Sequence, residues 1–312
     1  MMTAEGYEVV LYASEENEAS VSELVECVKR IDQPQGIPDF DPEAPLFNNF
    51  NRRVVKEMSS RIQPTDLICN IGGRAQASIS QAFPDNITVE FGIGYSGTFS
   101  SFRVFESYAW MHTVYGSQVA DASQADGFFF DDVIPNYFEI EDFPEHNSDE
   151  DYLLFVGRLI DRKGYRLAVE IAKATGMKLK IAGAGDPPGY GEYYGVVGPE
   201  KRGELMSGAR AIIVPTLYIE PFGGVHVEAQ LCGTPVISTD FGVFTETITN
   251  GVNGFRCRMF SEFLYAVDAC KDLDHKTIRS AAQLRYSTQT VGKMYARYFN
   301  RIETLYDKGF YQ

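Results

Sequence analysis

Basic residues are in short supply. Lys and Arg number 28 against 43 Asp and Glu, a formal net charge of −15 at pH 7 over 312 residues. A field of that sign repels phosphate backbones and anionic headgroups, which argues against nucleic acid as a partner. It also argues against a membrane held through a polybasic anchor. Cysteine is scarce too. Cys27, Cys69, Cys232, Cys257 and Cys270 are odd in number, scattered and without a C-x-x-C pair. That pattern fits reduced thiols in a cytoplasmic chain and offers no zinc spacing. No apolar run approaches the roughly 20 residues needed to span a bilayer, and MMTAEGYEVVLY at the start is too short and too acidic for a signal peptide. Internal repeats and low-complexity tracts are missing. The expectation is a soluble, cytoplasmic protein.

A large core is available: 44% of residues are hydrophobic, and 22 Phe and 18 Tyr supply bulk. Apolar runs at residues 7–12, 66–71, 86–91, 152–156, 178–181, 194–197, 211–214 and 235–238 read as strands. Residues 19–30, 101–115, 165–174, 201–207, 223–231, 245–249 and 291–305 read as helices, and residues 33–51, rich in Pro, Asp and Asn, as a loop. Strands alternating with helices predict an α/β chain with mostly parallel sheets. The acidic stretch 139–151 (EIEDFPEHNSDED) is the linker candidate.

Two clusters carry the chemistry. In GRLIDRKG, Arg158 and Lys163 follow the strand 152–156 directly, at its carboxyl end. Two cations there, in a chain this acidic, suggest a diphosphate clamp, Arg as a planar fork and Lys as a point charge. In YIEPFGGVHVEAQLCGTPVISTD, a buried strand leads through a turn into a helix that starts near Phe222 or Gly223. Its two glycines let backbone N–H groups approach a ligand, and a helix N-terminus adds orphan donors and partial positive charge. Together they form an anion cradle beyond the strand ends. Glu220 falls on the loop tip and Glu228 on the helix, both turned toward one crevice.

The pattern G-R-x(4)-K-G followed by E-P-F-G-G-x(3)-E-A-x(3)-G-T-P-V-I resembles family 4 glycosyltransferases, most strongly over residues 152–257. The resemblance implies a GT-B architecture, two Rossmann-like domains facing across a cleft. It divides the chain into an acceptor-side domain 1–140, a linker 141–150, a donor domain 151–288 and a last helix 289–312 crossing back to the first domain. It implies a retaining transfer from a nucleotide-diphosphate sugar to a sugar or lipid-linked acceptor, with no cofactor and no metal. No D-x-D motif occurs near a strand end of this half. Carried over residue by residue, Arg158 and Lys163 bind the diphosphate and Glu228 takes the ribose hydroxyls. Glu220 contacts the transferred sugar near the reacting centre, making Glu220, Arg158 and Lys163 the catalytic set. Gly157 lies at the clamp, and Phe222, Gly223, Gly224 and Val225 offer backbone groups. Val197, Gly198 and Pro199 lie against the base.

In the first half, Arg74 in GGR and Gly92, Gly94 and Tyr95 in GIGYSG are candidates for the acceptor side, or members of purely structural loops. Where many family members place a histidine, this chain has Glu90 in NITVEF. The family's usual first βα unit is missing ahead of GYEVVL, as in a fragment, a shortened enzyme, or a protein whose strand comes from a partner or second copy. His226, between the two glutamates, faces either the site or the packing; for His112 a core or surface role outweighs a catalytic one, and His146 and His275 fall in polar, exposed surroundings. Alternatives from other classes are a catalytically silent sugar-nucleotide-binding module and a nicotinamide-dependent oxidoreductase using GIGYSG. A phosphorylase-like use of the fold would need a cofactor lysine, for which no motif is present.

Overall fold

The computed structural model describes residues 1–29, 44–147 and 151–308, the last three of these by backbone alone. The described residues pack as two compact units. One comprises Met1–Glu106, Met111–Ile134 and the chain from Val291 onward; the other comprises Ser107–Trp110 and Pro135–Thr290.

The second unit is built on a six-stranded parallel sheet. Its strands are β7 (Tyr152–Val156), β8 (Lys178–Ala182), β9 (Glu192–Tyr193), β10 (Ala211–Val214), β11 (Val236–Thr239) and β12 (Gly254–Cys257), in the order β12-β11-β10-β7-β8-β9. Numbered within the unit this is 3-2-1-4-5-6 read from β9, the doubly wound dinucleotide-fold order, which reverses between β7 and β10. Parallel strands covered on both faces need continuous apolar runs rather than alternation, and Tyr152, Leu153, Leu154 and Phe155 are all buried. Successive side chains serve opposite layers. Tyr152, Leu154, Ile212 and Val236 pack with Phe222, Val227 and Tyr286. Leu153, Phe155, Ile213 and Ile237 pack with Ala168, Ile171, Phe263 and Ala266. The helices concerned are α4 (Tyr165–Thr175), α6 (Gly224–Leu231), α8 (Phe260–Ala269) and α9 (His275–Tyr286). Each fully buried Leu, Ile or Phe contributes roughly 1.5–3 kcal/mol, so this double-faced core dominates the unit's stability.

The first unit holds a four-stranded parallel sheet, β3 (Ile68–Asn70), β4 (Thr88–Ile93), β5 (Phe102–Phe105) and β6 (Asp132–Val133) in that order. A separate parallel pair joins β1 (Val10–Ser14) to β2 (Glu23–Val28). Helix α10 (Thr288–Lys308) lays Val291, Tyr295, Tyr298, Phe299 and Ile302 against Val89, Val104 and Ile134. Tyr298 donates to the Phe130 carbonyl at 2.9 Å.

Several sequence expectations are corrected. Residues 19–30 are not a helix: β2 alternates exposed Glu26 with buried Val25 and Cys27, the period of a strand, and pairs with β1. Residues 101–115 split into β5 and α3 (Tyr108–Ser117), because Val104 and Phe105 are wanted in the sheet and Ser107 then caps the helix by accepting from Trp110 N–H. The strand at 194–197 lies two residues earlier, as β9. The loop at 33–51 ends sooner, since Pro45 opens α1 (Pro45–Met58). Its residues up to 43 lie outside the described residues, as do residues 148–150 of the linker.

Candidate functional site

The strand order itself names a place. Where it reverses, the connections after β7 and β10 leave in opposite directions and open a crevice beyond the carboxyl ends. Both sequence clusters fall there, since residues 157–164 follow β7 and residues 215–223 follow β10. The two loops are joined directly, with Leu217 N–H donating to the Arg162 carbonyl at 2.8 Å. Close packing demands small residues. A Cβ on Gly183 would lie 1.9 Å from the Gly157 oxygen, so the loop after β8 meets the loop after β7 backbone to backbone.

Lys163 ends a short 3-10 turn, Asp161–Lys163, and its ammonium donates to Glu220 Oε2 at 2.6 Å. The Tyr218 ring lies beneath both Lys163 and Arg162, 5.1 and 4.5 Å from their charged centres. Burial alone pulls the Lys163 pKa down. The hydrogen bonds that Lys163 makes to Glu220 and Tyr218, with the negative charge of Glu220, together outweigh it, and the net shift is upward. Lys163 is therefore a committed cation at neutral pH. Tyr218 is raised by burial, partly opposed by Lys163, and stays a neutral phenol.

Glu220 is 8% exposed and packs over Gly223, whose hypothetical Cβ would lie 2.7 Å from Glu220 Cγ. Gly223 is the N-cap of α6 with φ 71° and ψ 62°, a left-handed conformation that glycine adopts without a steric cost. Having no side chain, it leaves the N–H groups of the first turn uncapped, as an anion cradle requires. Phe222 is fully buried against Phe138, Tyr286 and His226, so only its backbone remains to face a ligand.

Glu228, one turn into α6, brings Oε1 to 4.0 Å from the Cβ position of Gly224, so its carboxylate lies over the helix's first turn. A residue the sequence reading did not single out holds it there. Arg202, on α5 (Pro199–Ser207), donates from Nε to Glu228 Oε2 at 2.6 Å and from Nη2 to Oε1 at 3.3 Å. A carboxylate offers about four lone-pair sites, so this fork occupies one on each oxygen and leaves one on each. The signal for Arg202 was its place, four residues after Gly198, on the helix that opens from the 197–199 loop. Val197 packs on the core, Gly198 is the N-cap of α5 and Pro199 its first residue, both exposed.

The structure thus gathers Lys163, Glu220, Gly223, Gly224, Val225 and Glu228 about the first turn of α6. Arg158 follows the same strand end as Lys163 but is exposed, and it forms no ion pair with the described residues. His226 faces the packing, wholly buried, with Nδ1 2.6 Å from the Gly223 carbonyl.

In the first unit, the GIGYSG loop and the GGR turn lock together at the ends of β3 and β4. A Cβ on Gly73 would lie 2.6 Å from the Tyr95 ring, and Gly97 abuts the Arg74 side chain. Glu90 organises the loop, accepting from Tyr95 Oη at 3.1 Å and from the Phe99 and Ser100 N–H groups at 2.8 Å. Burial raises the Glu90 pKa; these hydrogen bonds and Arg103 oppose the rise. Gly92 and Gly94 lie at the end of β4 and just beyond it. The chain then runs into β5, not into a helix, so GIGYSG lacks the helix N-terminus on which a dinucleotide pyrophosphate would sit. That removes the structural basis of the oxidoreductase alternative. Among the described residues no helix is long and apolar enough to cross a membrane.

Residues 137–261 match the family described as glycosyl transferases group 1. An uncharacterized glycosyltransferase of Methanocaldococcus jannaschii is 35% identical over 124 residues, 34% of this chain and 32% of that protein. The D-inositol 3-phosphate glycosyltransferase of Mycolicibacterium smegmatis is 31% identical over 126 residues, 34% of this chain and 29% of that enzyme. The matched stretch is thus well under half the length of these curated relatives. Among solved structures, a glycosyltransferase involved in avilamycin A biosynthesis superposes with a TM-score of 0.71 at 19% identity, covering 97% of this chain and 87% of that one. The sucrose-phosphate synthase of Thermosynechococcus elongatus does so with 0.72 at 17% identity, covering 97% and 90%. Over residues 137–261 the chain is thus similar to the group 1 glycosyl transferases, and its fold is the α/β GT-B fold.

Proposed function

We propose that the chain is a retaining glycosyltransferase that moves a sugar from a nucleotide-diphosphate sugar to a hydroxyl of a sugar or lipid-linked acceptor. The observation that carries this reading is the Lys163–Glu220 pair, 2.6 Å apart, at the uncapped N-terminus of α6. An Anabaena protein with the same fold has been solved in complex with UDP-glucose, which makes UDP-sugars the first donors to try.

In this reading the diphosphate lies across the first turn of α6. Lys163 and the Gly224 and Val225 N–H groups receive the charge that develops as the diphosphate leaves, joined by Arg158 from the solvent side. Each such preorganised contact is worth roughly 2–4 kcal/mol at the transition state. Glu220 contacts the transferred sugar and Glu228 the ribose hydroxyls, while residues 197–199 flank the base. The chemistry asks for no cofactor, because protein cations supply the positive charge.

The test is a thermal-shift and calorimetric screen of UDP-, GDP- and ADP-sugars with wild type and Lys163→Ala, followed by NMR of the anomeric proton in product formed with simple sugar acceptors. A donor that raises Tm in wild type and not in the variant, and a product with the donor's anomeric configuration, is the expected result. Inverted product refutes the retaining assignment. Binding without transfer to any acceptor leaves a sugar-nucleotide-binding module, and no binding at all overturns the reading.

A further inference from the structure

We propose that His226 is a positioning residue of the donor site, which fixes the Gly223–Gly224 peptide through an Nδ1–H hydrogen bond and so aims the first N–H groups of α6 at the donor phosphates. This rests on the function proposed above. His226 is the third residue of α6, and Gly223 is the N-cap. The Gly223 carbonyl accepts twice from it, from the backbone N–H at 3.2 Å and from the ring at 2.6 Å. A carbonyl oxygen only accepts, so Nδ1 carries the proton and Nε2 does not. Nε2 is buried with no partner among the described residues, beside Phe222 and Phe244. The tautomer is thereby set by geometry. Burial, with Arg285 adding and the Gly223 hydrogen bond opposing, lowers the pKa to about 4, so the ring stays neutral at physiological pH.

The consequence follows from the planar trans peptide, in which C=O and N–H point opposite ways. Pinning the Gly223 oxygen inward along α6 turns the Gly224 N–H outward past the helix N-terminus. Most helices would be fixed here by Ser, Thr or Asp, whose side chain occupies an N–H of the first turn. Glycine leaves those donors to a ligand but also leaves the cap loose, since its left-handed conformation is one of many it can take. The histidine supplies rigidity from the C-terminal side without consuming a donor. It also keeps Gly223 beneath Glu220, whose Cγ would overlap any side chain there.

The experiment compares His226→Asn, His226→Gln and His226→Leu with wild type. Asn places an amide nitrogen near the position of Nδ1, whereas Gln extends toward Nε2. UDP affinity by calorimetry and kcat and KM for the donor are measured, with circular dichroism as a control on folding. We expect Leu and Gln to weaken UDP binding about three- to tenfold, the loss of one hydrogen bond, and Asn to recover to within about twofold. Equal affinities for wild type and the Leu variant, or equal loss in Asn and Leu, overturn the proposal while UDP binding by wild type leaves the donor site standing. Absence of UDP, GDP, ADP and pyrophosphate binding in wild type overturns both. If the variants fail to fold, long-range nitrogen–proton NMR of wild-type protein decides: an Nδ1–H tautomer, with the Gly224 amide shifting on UDP addition, supports the proposal. An Nε2–H tautomer, or a Gly224 amide unmoved by bound UDP, refutes it.

Discussion

Replacing Lys163 with methionine keeps most of the side-chain volume and deletes the charge that meets Glu220. The side chains are 22% and 10% exposed, so the pair is neither a surface ion pair nor a sealed one. Removing one member of a fully buried pair costs about 3–5 kcal/mol, because the partner's charge is left uncompensated. An exposed pair is worth about 0–1 kcal/mol. This partial exposure puts the pair between those limits, at about 2 kcal/mol. For a domain of this size that lowers Tm by about 4–8 °C. The double variant Lys163→Met with Glu220→Gln removes both charges and recovers most of that loss, since the stranded carboxylate is gone. Nucleotide binding behaves otherwise. A charge-assisted hydrogen bond to the diphosphate is worth about 1.5–3 kcal/mol, so the Kd for UDP rises about ten- to hundredfold in the single variant. In the double variant it stays raised. Differential scanning fluorimetry without ligand and titration calorimetry with UDP separate the two effects. A single variant with wild-type Tm and wild-type UDP affinity refutes the reasoning. So does a double variant that recovers binding along with stability.

Arg202→Met leaves Glu228 free to rotate, and UDP affinity falls about fivefold, consistent with one or two hydrogen bonds; Arg202→Lys rescues only part, because an ammonium cannot fork across two oxygens. Calorimetry of a free base, a nucleoside and UDP then locates the loss at the ribose. Gly183→Ala forces a methyl to within 1.9 Å of the Gly157 oxygen, and the urea midpoint should drop by the equivalent of about 4 kcal/mol or more. His146 and His226 are both held down to about 4 from 6.5, chiefly by burial. A histidine whose folded pKa is depressed gives stability that is intact above 6.5 and lost as pH falls toward 4. The buried His226 contributes at most roughly 3 kcal/mol of that loss. His146, half-buried and stacked on His275 at 3.6 Å, contributes less, and denaturant midpoints of His146→Phe between pH 7 and 4 should fall less steeply than those of wild type.

Most of the second unit was legible in the order of its residues. Strands buried on both faces must be written as unbroken apolar runs, so YLLFV and AIIV were legible without coordinates. Glycines that carry a positive φ or a backbone contact cannot be replaced by another residue, so GRLIDRKG and EPFGGVHVE marked the loop geometry. The first unit was harder to read, since β1 is only part-buried along its whole length and β3 has three residues. In β2 Glu23 and Glu26 break up the apolar run, and only pairing with β1 decides between strand and helix.

Other features were decided only by tertiary structure, because they depend on which distant segments meet. Arg202 lies 26 residues from Glu228, and Lys163 lies 57 from Glu220. Periodicity carries no record of such partners, whose pairing follows from the strand order that brings β7 beside β10. The tautomer of His226 belongs to the same class. Its position on the helix was readable from spacing, but its hydrogen bond to Gly223 and its apolar surroundings exist only once Phe222 and Phe244 close around it. Side-chain chemistry is written in the chain; the partner that gives it direction and protonation is chosen by the fold.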